Sequence, residues 1–273
     1  MKIHRILNIL PLISWQIIFL VTPFFLLFYN YFSFNNIYGI TLWLIQNNYF
    51  KILYYTFKTA FIVAFFCLII SYIIVHCIIQ QKKTIQKFCL FIFFIPFISS
   101  FLIHILSLMN LFYKTGIISF IYNIFPFWLT QNNLLYTQFL VYIGYIYCYL
   151  PYAFIPIYNT LSKFNTGLLK ASADLGATFW QTTFKILIPN TKKAIVNSFF
   201  LVFIAASGEF IITEILGGDK YMQAASIISY TLLSGNLIQY SIIMILFFIL
   251  SLIIILPILY NLLLFIIYYI KKV

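Results

Sequence analysis

Residues 167–189 read GLLKASADLGATFWQTTFKILIP, a polar, helically patterned island in a chain that is otherwise almost continuously apolar. A first short helix is expected to run to about Leu175, Gly176 supplies a turn, and a second amphipathic segment follows. On that second segment Phe179, Thr183 and Ile186 recur at helical spacing, as do Trp180, Phe184 and Leu187. Pro189 suits the first turn of the next helix, where its missing N–H would have had no partner. The island lies within the connection 159–193, which is longer than its counterparts. A long connection with helical patterning of its own marks a functional element, here a small compact knob between two apolar runs.

Outward from this knob the chain is lipid-soluble in character. Its 273 residues are 64% apolar and 7% charged, whereas roughly a quarter of the residues of a soluble domain are charged. A soluble globular domain is therefore excluded. Apolar runs fall at about 10–31, 53–79, 88–112, 134–158, 194–216 and 240–270. Each suffices to cross a bilayer, which takes about 20 helical residues. They must be helices, because an isolated apolar strand would leave its backbone groups unpaired in hydrocarbon. The expectation is an all-α polytopic membrane protein, one transmembrane domain over 1–273, with six helices and both termini on one side. Residues 1–19 have the basic tip and apolar run of a signal peptide, but no small-x-small cleavage site follows, so a retained first helix is expected.

Charge gives the orientation. Lys and Arg number 16 against 4 Asp and Glu, a net +12. Lys2 and Arg5, then Lys82, Lys83 and Lys87, then Lys163, Lys170, Lys185, Lys192 and Lys193, and finally Lys271 and Lys272 all fall on one face of the six-helix arrangement. Only Lys51, Lys58, Lys114 and Lys220 fall on or near the other. Loops rich in Lys and Arg stay cytoplasmic, so both termini are expected there. The positive balance is then a topology signal rather than a nucleic-acid footprint. Cys67, Cys77, Cys89 and Cys148 stand singly within apolar stretches and read as small buried hydrophobes, without metal or redox spacing. His76 and His4 have no metal-ligand companion in the sequence.

The island also carries a resemblance. Permease subunits of bacterial ABC importers have the pattern E-A-A-x3-G-x9-I-x-L-P in a cytoplasmic loop, and this chain is similar to them in full spacing. Lys170, Ala171 and Ser172 are followed by three residues, Gly176, nine residues, then Ile186, Leu187, Ile188 and Pro189. Lys170 stands in place of the family Glu, Ser172 in place of the second Ala and Ile188 in place of the Leu. The resemblance implies a coupling helix, with Asp174 and Ala177 beside the motif, that docks on an ATP-hydrolysing subunit. The expected partners are that ATP-binding subunit, a second permease (identical or paralogous) and an extracytoplasmic solute-binding protein, in the bacterial cytoplasmic membrane with lipid around them. ATP and magnesium belong to the ATPase, so this chain is expected to bind no cofactor, hold no catalytic residue and contact no nucleic acid. Its own sequence agrees, since nothing resembles the phosphate-binding G-x-x-x-x-G-K-[ST].

All four acids, Asp174, Glu209, Glu214 and Asp219, lie between the knob and the outer end of the fifth run. Counted along a continuous helix from Ala194, Glu209 lies about 22 Å in, still within a hydrocarbon layer of roughly 30 Å. An ionisable group there is costly and marks either function or a structural pair on another helix. The string Gly208-Glu209-Phe210 through Gly217-Gly218 resembles spermidine/putrescine-type permeases, as do Ile95-Pro96-Phe97 with Ser100 and His104, and Tyr149-Leu150-Pro151-Tyr152 through Tyr158. His104 stands where those relatives commonly have Arg, and the likeness covers about residues 50–235. The resemblance implies polyamine import, the alternatives being another solute such as ferric iron or an oxyanion, an energy-independent channel or a polytopic membrane enzyme. The side chains suit amines: Glu209 and Glu214 can offset ammonium charge, Asp219 can attract it, and Tyr145, Tyr149 and Tyr152 stack at helical spacing as a cation–π face. Codon bias in an AT-rich genome supplies the plainer account of the tyrosines. Ser100, His104 and Ser107 form a polar stripe that serves either substrate contact or helix packing.

Overall fold

The computed structural model describes residues 48–98, 100–113, 135–164 and 166–235, with isolated positions between 11 and 29 and between 243 and 249. The first and sixth apolar runs therefore lie largely outside the described residues. Every regular element among the described residues is helical. In chain order they are α1 (Tyr49–Ile79), α2 (Lys83–Phe94), a 3-10 turn (Ile95–Ile98), α3 (Phe101–Phe112) and α4 (Gln138–Leu161). There follow α5 (Thr166–Asp174), α6 (Phe179–Thr182), a π turn (Thr183–Leu187), α7 (Ile188–Ser207), a second π turn (Thr213–Gly217), a 3-10 turn (Asp219–Tyr221) and α8 (Ala224–Leu233). Among the described residues three helical stretches are long and apolar enough to cross a membrane: Tyr49–Ile79, Gln138–Leu161 and Thr183–Ser207. The chain divides into two units, one of residues 54–226 and one made of 1–53 with 227–273. The account below concerns the first unit.

Two runs expected as single helices are broken. The run 88–112 is interrupted at Pro96, which has no N–H to donate to the preceding turn. The chain tightens to 3-10 over Ile95–Ile98 and is extended at Ser100, with φ −62° and ψ 137°. The run 194–216 is interrupted at 208–210, between the end of α7 at Ser207 and the helical restart at 211. A third difference is α8, a short apolar helix in a stretch expected as connection. Of the cysteines, Cys67 and Cys148 are buried as expected, but Cys89 is half-buried and Cys77 exposed.

The pillar of this unit is α4. It stays helical through Pro151 and Pro156 and is tied to its neighbours by side-chain bonds. Ser71 of α1 donates to the Leu150 carbonyl at 3.2 Å, and Ser198 of α7 donates to the Ala153 carbonyl at 2.9 Å. Tyr72, Val75 and Ile78 of α1 pack with Phe154, Ile157 and Leu161 of α4 and with Leu187. The Tyr72 hydroxyl reaches Thr191 Oγ1 at 3.3 Å within this core. Gly144 lets the second π turn approach α4 closely: a Cβ there would lie 2.5 Å from Leu216 Cδ1 and 3.1 Å from Ile212 Cγ2.

Candidate functional site

The knob has the anticipated helix–turn–helix form. Gly176 adopts φ +75°, the left-handed conformation that ends α5. The Ala177 N–H returns to the Ser172 carbonyl at 3.0 Å, the six-to-one bond of a Schellman closure. Ser172 is buried, and its hydroxyl meets Thr182 Oγ1 at 3.1 Å, tying α5 to α6. Ala171, Asp174, Gly176 and Pro189 are exposed, whereas Ala177 and Ile186 are half-buried. Lys170 lies on α5. From Thr183 the π turn runs straight into α7, with Pro189 in its first turn, so knob and helix are one piece. Ser172, at the position where the family pattern has Ala, thus joins the two helices of the knob.

At the far end of α7 the helix breaks around Glu209, which is half-buried. Its Oε1 accepts the backbone N–H of Phe210 at 3.1 Å and of Ile211 at 2.8 Å, capping the restarted helix with its own carboxylate. This satisfies donors that a helix start leaves without intrahelical partners, and a negative charge is favoured there. Oε2 accepts the Tyr149 hydroxyl at 2.8 Å. The Tyr145 hydroxyl lies 3.3 Å from the Glu209 carbonyl and donates to Gln223 Oε1 at 3.0 Å. Nearby, Thr213 Oγ1 meets Ser226 Oγ at 3.1 Å, and Thr56 Oγ1 accepts the Ala224 N–H at 2.9 Å. The break is therefore a buried polar network, as a membrane protein requires wherever backbone leaves the helix at bilayer depth.

The structure separates the other residues singled out in the sequence. Glu214 is exposed on the second π turn, and Asp219 is exposed on the following 3-10 turn. Tyr145 and Tyr149 are buried at 0% and 6% exposure, against 49% for Tyr152. Tyr152 shares a pocket with His104, whose Nδ1 donates to the Ser100 carbonyl at 3.1 Å. Sequence reasoning passed over Gln223 and Tyr147: Gln223 is an isolated polar residue in an apolar setting, a usable signal, but Tyr147 is one of 22 tyrosines. Among the described residues no group of His, Cys, Asp or Glu is placed to hold a metal ion.

A strongly apolar helical chain, in which one long helix is continuous with a polar knob at one end and interrupted at a polar network at the other, is built as a membrane transport subunit. The chain belongs to the family of binding-protein-dependent transport system inner membrane components, whose pattern matches residues 80–265. It is 30% identical over 190 residues to the spermidine/putrescine transport system permease protein PotB of Salmonella typhimurium (strain SL1344), covering 68% of this chain and 65% of that protein. The match thus spans a little under two thirds of that relative's length. It is 29% identical over 157 residues to a PotB homolog of Mycoplasma genitalium, covering 58% of this chain and 52% of the other. In fold it is similar to a chain of a bacterial alginate ABC transporter solved in complex with an alginate pentasaccharide-bound periplasmic protein. The TM-score there is 0.71 at 18% identity, over 93% of this chain and 91% of that one.

Proposed function

We propose that this chain is a transmembrane permease subunit of an ATP-driven importer of polyamines such as spermidine and putrescine. It works with a separate ATP-binding subunit, a second permease copy or paralogue and an extracytoplasmic solute-binding protein. Both termini and the knob face the cytoplasm, where most of the basic residues fall. The reading rests on one observation above the rest: the knob runs without interruption into the 25-residue stretch Thr183–Ser207, which ends at the Glu209 break. At 1.5 Å per residue that rod is about 37 Å long. A push on Ala171 or Gly176 from a closing ATPase would tilt the rod and move the polar break at its other end, a rigid-element route to alternating access. Similarity to spermidine/putrescine permeases supports the substrate, and Glu209 with Glu214 supplies acids suited to amines.

The test is ATP-dependent uptake of radiolabelled spermidine by the complete complex in proteoliposomes, with Ala171→Arg as the probe. Ala171 is exposed, so the variant should fold, yet lose ATPase association and at least tenfold of the uptake. Full uptake and association in Ala171→Arg would refute the coupling role. Uptake competed by ferric iron or an oxyanion, but not by putrescine, would reassign the substrate.

A further inference from the structure

The break at Pro96 faces α4 across a pocket of about 200 Å³ lined by Phe97, Phe101, His104, Tyr147, Cys148 and Tyr152. Three helical segments supply its aromatic rings: the 3-10 turn, α3 and α4. Phe97 stacks near His104 at 6.2 Å between centroids, and Tyr147 lies 5.7 Å from His104 on another side. Cys148, 5% exposed, is buried, whereas Phe97, Tyr147 and Tyr152 keep 37%, 39% and 49% exposure. The rings are thus held in place but retain accessible surface. We propose that this pocket receives one primary ammonium group of the transported amine, with Phe97, Tyr147 and Tyr152 as a cation–π cage. The inference rests on the polyamine reading above and assigns that substrate a place in the chain.

Two features favour an ammonium over other occupants. Among the described residues that line it none is Lys or Arg, which would repel a cation, and none is acidic, so the ring faces are the attraction. At about 200 Å³ the pocket falls below the roughly 300–1,000 Å³ of typical small-molecule sites, which suits a slender amine rather than a sugar. The pocket also adjoins the other break. The Tyr149 ring lies 5.6 Å from Tyr152 and 6.5 Å from Phe101, and its hydroxyl holds Glu209. A cation among the pocket rings would therefore sit one aromatic side chain away from the carboxylate that caps the restarted helix.

The test measures equilibrium binding of labelled spermidine to the detergent-solubilised permease and ATPase complex, without binding protein, alongside uptake by the wild-type complex in proteoliposomes. Phe97 is replaced by phenylalanines carrying one, two and three ring fluorines, which weaken the ring's negative face with little change of size. Kd should rise stepwise, roughly three- to thirty-fold over the series, the range set by cation–π strengths. Tyr152→Phe should keep affinity and Tyr152→Leu lose it. A Kd flat across the fluorine series, in a complex that does import spermidine, overturns the cage. Absence of spermidine and putrescine uptake by the wild type overturns the polyamine reading instead, and the cage with it.

Discussion

Replacing Glu209 separates its role as a helix cap from any role toward substrate. The carboxylate accepts from Ile211 N–H at 2.8 Å, Phe210 N–H at 3.1 Å and Tyr149 O–H at 2.8 Å. Hydrogen bonds to a charged group contribute about 1.5–3 kcal/mol each, against about 0.5–1.5 for neutral pairs. Glu209→Ala leaves those three donors without this acceptor in a half-buried site, a loss of about 3–6 kcal/mol, which is large against total stabilities of about 5–15. In Glu209→Gln the amide oxygen can still accept both N–H groups, and its NH2 can donate to a turned Tyr149 hydroxyl. Only the charge assistance goes, about 1 kcal/mol per bond or about 3 kcal/mol at most. Denaturant unfolding of the purified chain in detergent should rank wild type above Gln and Gln above Ala. A double-mutant cycle with Tyr149→Phe should return a coupling of about 1–2 kcal/mol, since the two residues share one bond. If both Glu209 variants keep wild-type stability and lose uptake, the carboxylate serves the substrate and the capping argument fails.

Two further outcomes follow from the glycines. Gly176→Ala places a Cβ in open space, with nothing within 4 Å, but at φ +75°. The cost is backbone alone, about 1–2 kcal/mol, and should appear as faster proteolysis of the knob with unchanged global unfolding. Gly144→Ala forces a Cβ against Leu216 and Ile212, both fully buried. Overpacking of this kind costs about 1–3 kcal/mol and should lower the unfolding midpoint, whereas an unchanged midpoint would mean that the π turn does not press on α4.

The knob was the most legible part of the sequence because each of its signals is local. Gly176 ends a helix through its own φ, Pro189 falls within the first turn of α7, and the spacing between them is fixed by residues a few positions apart. The broken helices were less legible. Hydropathy sees 88–112 and 194–216 as continuous, since a bilayer-deep break lowers apolarity very little. Pro96 was a visible cue to the first break, yet prolines 151 and 156 leave α4 unbroken. The difference is not visible in the prolines themselves: α4 is packed against α1 and α7, whose Ser71 and Ser198 bond to its Leu150 and Ala153 carbonyls. At the second break the cue was Glu209 itself, read along the sequence as an acid within a helix, whereas the fold makes it the cap of a new one. The tyrosine ladder shows the same limit. Periodicity put 145, 149 and 152 on one stripe, but only packing sends the first two to the Glu209 network and the third to the pocket.

This division of α4 connects the two breaks. Tyr145 and Tyr149 serve the Glu209 break, while Tyr147 and Tyr152 line the pocket at the Pro96 break. A broken helix in a membrane is tolerable only where protein satisfies the freed backbone, and here one helix backs both interruptions. The knob sits at one end of the α7 rod and the Glu209 break at the other, and the rod is tied to α4 both by the Ser198–Ala153 bond and, just beyond its end, by the Glu209–Tyr149 bond. On the proposed function Tyr149 is the side chain that would join motion of the rod to occupancy of the pocket, with its hydroxyl on one break and its ring against Phe101 and Tyr152 at the other. If that is its part, Tyr149→Phe keeps the ring and loses the bond. Spermidine binding at rest should then stay near wild type, while the uptake obtained per ATP hydrolysed falls several-fold. Equal losses in binding and in coupling would place Tyr149 in the pocket wall alone, and an unchanged ratio of uptake to hydrolysis would remove the bond from the coupling path.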